Sequence, residues 1–491
     1  MTSDQASGTT SRASKGTVLF YGLGSISVGI KNNLLGYFLL IYYNQALGLD
    51  ALLTSSAMAV AFVFDAISDP LVGVWSDRLK TRWGRRHPFM YLACIPFALS
   101  YYMVLSDPGD ISQADLYARL VLCLIVLRVS MTFYEVPRSA LAPELTKDYD
   151  QRNVLHGAGL AFGWIGGAGF AFVAQQFFLD SFVDRAGYQI MAFWGGLGVF
   201  ISCAVCSLGL HGEIPKLHVP EETTISLRKI FKQSAESLSN RSWLALLAAG
   251  ASYALLVGIE QGAGTYYNEY LWQLHPSDVS YFSLLQALCV VSVSIVVPTL
   301  LYGFDKKRVA ITIFLLNISI GTLPLILRLL DPYVAFQTFP ENGTFSLWLT
   351  LLLHSGLTAS LNALGMIFVL SMTMEVVEEV QRKTQRREEG LLATANSLIQ
   401  KLIGAGGVLI SGYIVHTAGF DGAGVTPEQM QGEIIESFAT MHVAMGITLP
   451  LVGVAALGFY NITRARHEQN IDTLGYRAPS DGQNSATNSA N

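Results

Sequence analysis

The chain has 491 residues, 51% of them hydrophobic and 14% charged, and its mean hydropathy is +0.41. So much hydrocarbon with so few charges excludes an ordinary multidomain soluble protein and places the chain in a membrane. The formal net charge of -5 gives no footing for nucleic-acid binding, so the placement of charge says more than its sum.

Met1 to Lys15 is polar and Ser/Thr-rich, with neither the apolar stretch nor the cleavage site of a signal peptide, so the first hydrophobic helix is expected to be retained. A helix needs about 20 mainly apolar residues to cross a hydrocarbon core of about 30 Å. That measure predicts twelve spans, near 17–43, 52–75, 88–106, 115–141, 154–179, 188–210, 243–270, 280–302, 309–330, 346–372, 391–419 and 433–462. Basic residues follow every second span: Arg78, Lys80, Arg82, Arg85 and Arg86; Lys147 and Arg152; Lys216, Arg228, Lys229 and Lys232; Lys306, Lys307 and Arg308; Arg382, Lys383, Arg386 and Arg387. The other loops are mainly acidic, with Arg185 the clear exception. The positive-inside rule then puts both termini in the cytoplasm of a multi-pass plasma-membrane protein.

The fold expected is all-α: a six-helix half over 1–210, a cytoplasmic linker over 211–241, a second six-helix half over 242–462 and a disordered cytoplasmic tail over 463–491. Within the linker, Ile225 to Leu238 alternates apolar and basic positions at helical spacing, and either lies along the membrane surface or is a solvated connector. The five cysteines all fall in apolar segments and imply no disulfide framework or metal site. The nine histidines are scattered without an H-x-x-x-H pair, and no nucleophile constellation marks an enzyme.

After the second span the chain reads Gly73-Val-Trp-Ser-Asp77-Arg78, then Gly84-Arg85-Arg86. This resembles the major-facilitator signature loop, in which the glycine permits close helix packing and the acid and arginines form a cytoplasmic charge lock. The major-facilitator layout of two six-helix halves rocking about a central cavity fits the span count. The resemblance implies a cytoplasmic gate of Gly73, Asp77, Arg78, Gly84, Arg85 and Arg86. Glu375, Glu378 and Arg382 would form its counterpart in the second half, although part of that cluster is solvated surface.

Just before the loop stands Asp65-Ala-Ile-Ser68-Asp69-Pro70. Positions three and four apart share a helix face, so two carboxylates meet inside a span. Each costs roughly 2.5–3.5 kcal/mol there, and at about 6 Å they repel by about 3 kcal/mol at an effective dielectric of 20. A proton, a nearby Lys or Arg, or a bound monovalent cation must offset that. The segment resembles the glycoside–pentoside–hexuronide:cation symporters, the group of the melibiose permease. The resemblance implies that Asp65, Ser68 and Asp69 bind the coupling ion, Na+ or H+, with Thr132 and Glu135 of span four completing the set. By helical rise Asp65 and Glu135 lie roughly 16 and 12 Å from the inner ends of their spans, so the groups can meet at one level. Thr132 could instead bond only its own helix backbone.

Lys401 in span eleven, roughly 15 Å in, matches a cavity lysine of that family. Lys31 and Arg128 sit about 21 and 22 Å from the inner ends of spans one and four, and either hold the carboxylates or face an anionic group of the substrate. With Glu135 and Glu260 these residues make up the expected substrate cavity. The galactoside-type residues are not matched: Gly29, Ser139 and Leu160 stand where that subgroup has an acid, an aromatic and an arginine. A cluster of Tyr266, Tyr267, Tyr270 and Trp272 reads as an interface belt at the outer end of span seven. The reading is a monomeric secondary transporter, without cofactor or metal beyond a possible Na+, that moves a sugar, glycoside or organic acid by symport. A lipid carrier or exporter of the same fold is the alternative, and an enzyme or receptor a distant third.

Overall fold

The computed structural model describes residues 13–146, 148–216, 239–300, 305–334, 337–384, 389–420 and 433–474. The linker stretch 225–238 and the basic pair Arg386 and Arg387 fall outside them. Eleven helices among the described residues are long and apolar enough to cross a membrane. The first span is the twelfth rod, and its irregularity has a sequence cause. It runs as Lys15–Leu23 and Ser25–Asn33, then through a π-helical turn Leu34–Phe38, Leu39–Ile41 and a second π turn Tyr42–Ala46. It breaks at Gly24 and carries the polar triplet Lys31, Asn32 and Asn33 through its middle.

Spans two to six are Ala51–Arg78, His87–Leu105, Gln113–Leu145, the run Tyr149–Trp164, Ile165–Gly169 and Phe170–Phe177, and Arg185–Gly209. Spans seven to twelve are Arg241–Tyr266 with the π turn Tyr267–Leu271, Pro276–Leu300, Lys306–Gly321 with Leu323–Leu330, Phe345–Thr384, Glu389–Thr417 and Glu433–Gly458. Short polar residues just outside the apolar runs start these helices. Asp50, Ser112, Asp184, Asn240 and Asp305 each accept a hydrogen bond from a first-turn N–H, which satisfies donors the helix leaves open.

In the first half, span two packs on span four, span three on spans four and six, and span one on span five; in the second, span seven packs on eleven and twelve, and span ten on eight and nine. Contacts between halves run through spans two and eleven, five and eight, and one and seven. The spans alternate between a basic face, where the first begins and the last ends, and an acidic face opposite.

Two pairings are backbone on backbone. A Cβ built on Gly29 of span one would stand 2.1 Å from the Gly163 carbonyl oxygen and 2.5 Å from the Gly167 nitrogen of span five. In the other half, a Cβ on Gly258 of span seven would stand 2.4 Å from the Gly404 carbonyl oxygen of span eleven. These are the corresponding helix pairs of the two halves, and small residues are what let such helices close in.

The tail expected to be disordered from 463 instead begins with a helix, Arg464–Leu474. Tertiary partners outweigh its low apolar content: Arg466 Nη2 donates to Glu379 Oε1 at 2.8 Å, and His467 Nδ1 meets Glu378 Oε2 at 2.8 Å on span ten.

Candidate functional site

Three spans converge on the paired aspartates. Span two presents Asp65, Ser68 and Asp69, span four Arg128 and Thr132, and span eleven Lys401. Arg128 Nη1 lies 3.2 Å and Lys401 Nζ 3.0 Å from the same oxygen, Asp65 Oδ2. Lys401 also pairs with Asp69 Oδ2, so a cation of the second half bridges two carboxylates of the first. Asp65 is 1% exposed and the Asp69 side chain 30%. With two carboxylates facing two cations, the cluster is neutral.

Thr132 Oγ1 stands 3.3 Å from Asp65 Oδ1, 3.0 Å from Asp69 Oδ1, 3.1 Å from Ser68 Oγ and 3.1 Å from its own helix's Arg128 carbonyl. Both readings of this threonine therefore describe one hydroxyl. Its single hydrogen serves one acceptor at a time, leaving lone pairs on the aspartates open. Pro70 and Pro137 interrupt the helices here, freeing the carbonyls of Ala66 and Phe133 from their helical partners. Arg128 also lies over the Phe62 ring at 4.0 Å, a cation–π contact.

Beside this cluster a cavity of about 1100 Å³ opens between the halves. Arg128, Glu135 and Glu260 line it, whereas Lys31 and Lys401 are outside its lining. Lys31 is 3% exposed, with no carboxylate at ion-pair distance among the described residues. Glu135 likewise has no ion-pair partner among them, so it is in the cavity wall rather than in the aspartate cluster. The three positions that depart from the galactoside pattern, Gly29, Ser139 and Leu160, all line this cavity. At Gly29 the departure is steric, because the helix pressed against it leaves no room for an acid. Across the cavity, Glu260 Oε1 meets His442 Nε2 at 2.7 Å, and His354 stands in the same wall. A lone histidine in an apolar span gave no signal of this pairing in the sequence.

On the basic face the signature loop is anchored by a residue outside the expected gate set. Glu144 Oε1 accepts from Arg85 Nη2 at 3.0 Å and from Arg86 Nε and Nη2 at 3.2 Å each. Arg86 also pairs with Asp77 and donates to Ser76 Oγ at 2.7 Å, while Arg78 is exposed. Gly84 has φ of 76°, a left-handed turn that favours glycine. Gly73, by contrast, is not held to glycine by contact, since its Cβ would sit 3.8 Å from Val136. In the second half, Glu375 takes Lys306 at 2.7 Å and the Tyr460 hydroxyl at 2.6 Å, and Glu379 takes Lys383 at 2.8 Å besides Arg466. Arg382 lies in the last turn of span ten.

The acidic face is closed by contacts between halves. Tyr266 donates to Asn44 Oδ1 at 2.9 Å, Tyr270 to Gln45 Oε1 at 3.0 Å, and Gln45 Nε2 to the Phe420 carbonyl at 3.0 Å. Tyr266, Tyr267, Tyr270 and Trp272 are all under a tenth exposed, so the expected interface belt is instead a buried plug. The anomalous Arg185 belongs here too, donating from Nε to the Ala46 carbonyl at 2.6 Å.

Two six-helix halves around a central cavity, with charged clusters inside the spans, define a secondary transporter of the major-facilitator type rather than an enzyme. The chain matches the MFS/sugar transport protein family over residues 20–464, and it belongs to that family. A putative glycoside/cation symporter of Escherichia coli K12 is 24% identical, with 91% of this chain and 92% of that one covered. A glucuronide carrier protein homolog from the same organism is 22% identical over 93% and 94%. An uncharacterized symporter of Synechocystis is 33% identical, over 49% of this chain and 42% of its own length. Among solved structures, a bacterial homologue of the human lysosomal transporter Spinster, inward-facing and unoccupied, covers 95% of this chain and 98% of its own at a TM-score of 0.56 and 13% identity. A nucleoside transporter gives a TM-score of 0.58 at 14% identity, covering 90% and 100%; both likenesses concern the fold.

Proposed function

We propose that this protein couples the movement of a monovalent cation, Na+ or H+, to uptake of a sugar, glycoside or related polar solute across the plasma membrane, with both termini in the cytoplasm. The observation that carries this reading is the aspartate cluster, where oxygen donors from spans two and four meet a lysine supplied by the other half. Lys401 occupies the charge-balancing role that a bound cation would take. A cation entering between Asp65, Ser68, Asp69 and Thr132 displaces the ammonium, loosens the bridge between spans two and eleven, and frees the halves to rock.

The basic-face pairs around Glu144 and Glu375 each brace one half at its cytoplasmic end, and the plug at Tyr266, Tyr270 and Gln45, which joins the halves, is the gate closed here. With that plug closed and Arg138, Ser139 and His156 lining the cavity toward the basic face, the conformation is read as facing the cytoplasm. The charged and amide side chains set in the wall, Arg128, Glu135, Arg138, Glu260 and Asn317, favour a polar solute over a lipid. The relatives named for glycosides and glucuronides support the sugar class.

The test is uptake into proteoliposomes of a labelled sugar panel under imposed sodium or proton gradients, for the wild type and Asp69→Asn. Gradient-driven accumulation by the wild type alone is expected; accumulation independent of both gradients, or equal in the variant, refutes the coupling.

A further inference from the structure

How a solute lies in the cavity depends on the charged groups of its two walls. On the second-half wall, Glu260 gives Oε1 to His442 Nε2 at 2.7 Å, and no hydrogen bond reaches its Oε2 among the described residues. The Glu260 side chain is 50% exposed although it lies deep in span seven, so its open oxygen faces the lumen. His442, 5% exposed, supports it from span twelve, and His442 Nδ1 has no partner. Asn317 gives its Nδ2 to Asn362 Oδ1 at 3.0 Å, and its own Oδ1 is left without a partner. Glu260, His442 and Asn317 all line the cavity. The acceptor open to the lumen on this wall is the free oxygen of Glu260.

The first-half wall is the reverse. Arg128 and Arg138, 5% and 6% exposed, both line the cavity. A solute between the walls therefore meets a carboxylate on one side and guanidinium groups on the other. An anionic group against Glu260 is repelled, and an apolar one leaves its open oxygen unmet.

We infer that Glu260 is a substrate-binding residue that accepts hydrogen bonds from the hydroxyls of a polyhydroxylated solute, that His442 is its positioning residue, and that the solute lies across the cavity. Its hydroxyl-donating edge meets the second half, and its acceptor oxygens, those of the ring, the glycosidic bond or a carboxylate, meet Arg128 and Arg138. This rests on the proposed solute class and assigns the site and orientation within it.

The experiment uses the full chain in proteoliposomes with radiolabelled methyl glycosides of the common hexoses and hexuronic acids, and the monodeoxy analogues of each. For a glycoside that the wild type accumulates, Glu260→Gln is expected to raise KM at least tenfold while kcat changes less than threefold. One monodeoxy analogue, lacking the hydroxyl that Oε2 accepts, should show the same KM in wild type and variant. His442→Ala should raise KM about fivefold. His442→Gln, which carries an amide N–H at the reach of Nε2, should return to within twofold of the wild type. If Glu260→Gln does not survive purification, Glu260→Asp reads the same split, with a smaller rise in KM. An unchanged KM in a folded Glu260 variant, an equal shift for every deoxy analogue, or a His442→Gln as poor as His442→Ala overturns the inference and leaves symport standing. A wild type that accumulates no panel member overturns the proposed function and this inference with it.

Discussion

Asp65 and Asp69 look equivalent in the sequence, but their surroundings predict very different costs of neutralising them. Asp65→Asn removes the counter-charge from Arg128, whose side chain is 6% exposed and whose guanidinium lies 3.2 Å from the lost carboxylate. At an effective dielectric of about 20 that contact is worth roughly 5 kcal/mol. Lost hydration offsets part of it, and stripping one partner from a buried pair costs about 3–5 kcal/mol. Asp69→Asn leaves Lys401 its 3.0 Å contact with Asp65. It also removes a carboxylate that is 30% exposed, so its cost is about 1 kcal/mol, as for accessible pairs. Equilibrium unfolding of the purified protein in detergent, without substrate, should separate the two variants by at least about 2 kcal/mol. A second step isolates the pair: Asp65→Asn combined with Arg128→Gln should recover part of the loss, with a coupling energy of about 1–3 kcal/mol. Equal destabilisation by the two single variants, or strict additivity in the cycle, would refute the view that Arg128 is tied to Asp65.

The glycine contacts make a sharp steric prediction. Gly29→Ala should abolish accumulation of folded protein, because its Cβ would fall 2.1 Å from a backbone oxygen, whereas Gly157→Ala, with nothing within 4 Å of its Cβ, should behave as wild type; expression and size-exclusion profiles report both. On the basic face, Glu144→Gln should cost about 3 kcal/mol by leaving Arg85 without its carboxylate and Arg86 with Asp77 alone, while Arg78→Gln, at an exposed site, should stay within about 0.5 kcal/mol in thermal unfolding. At the opposite face, Gln45→Ala removes the hydrogen bonds to Tyr270 and Phe420. A cysteine placed at Gly264 in a cysteine-free background should then react several-fold faster with an impermeant thiol reagent applied to the acidic face. An unchanged labelling rate would count against the plug.

The span pattern was legible because membrane insertion is decided locally, by runs of apolar residues and the charges that flank them. Depth along two helices brought Asp65, Ser68, Asp69 and Thr132 together, but it also put Glu135 with them and Arg128 above them, whereas Arg128 pairs with Asp65 and Glu135 lines the cavity. Depth alone could not show that Lys401 would be the bridging partner, since its reach depends on how the halves pack. Glu260 and His442, 182 residues apart, illustrate the same limit. So does Glu144, whose two arginine partners lie 59 and 58 residues away. The tyrosine cluster was misread for a different reason. Composition at a span's end looks the same whether the rings face lipid or the other half, and only packing against Asn44, Gln45 and Phe420 decides it.

The paired glycine seams, between spans one and five and between seven and eleven, have a consequence for how such a cavity can change over time. Where two backbones already touch, any enlargement of one residue requires a simultaneous retreat of its neighbour, so single substitutions are barred there. New specificities are then reached through walls that still have slack, such as those carrying Ser139, Leu160 and Glu260. The seams confine drift in solute choice to a few surfaces while the frame that moves them stays constant.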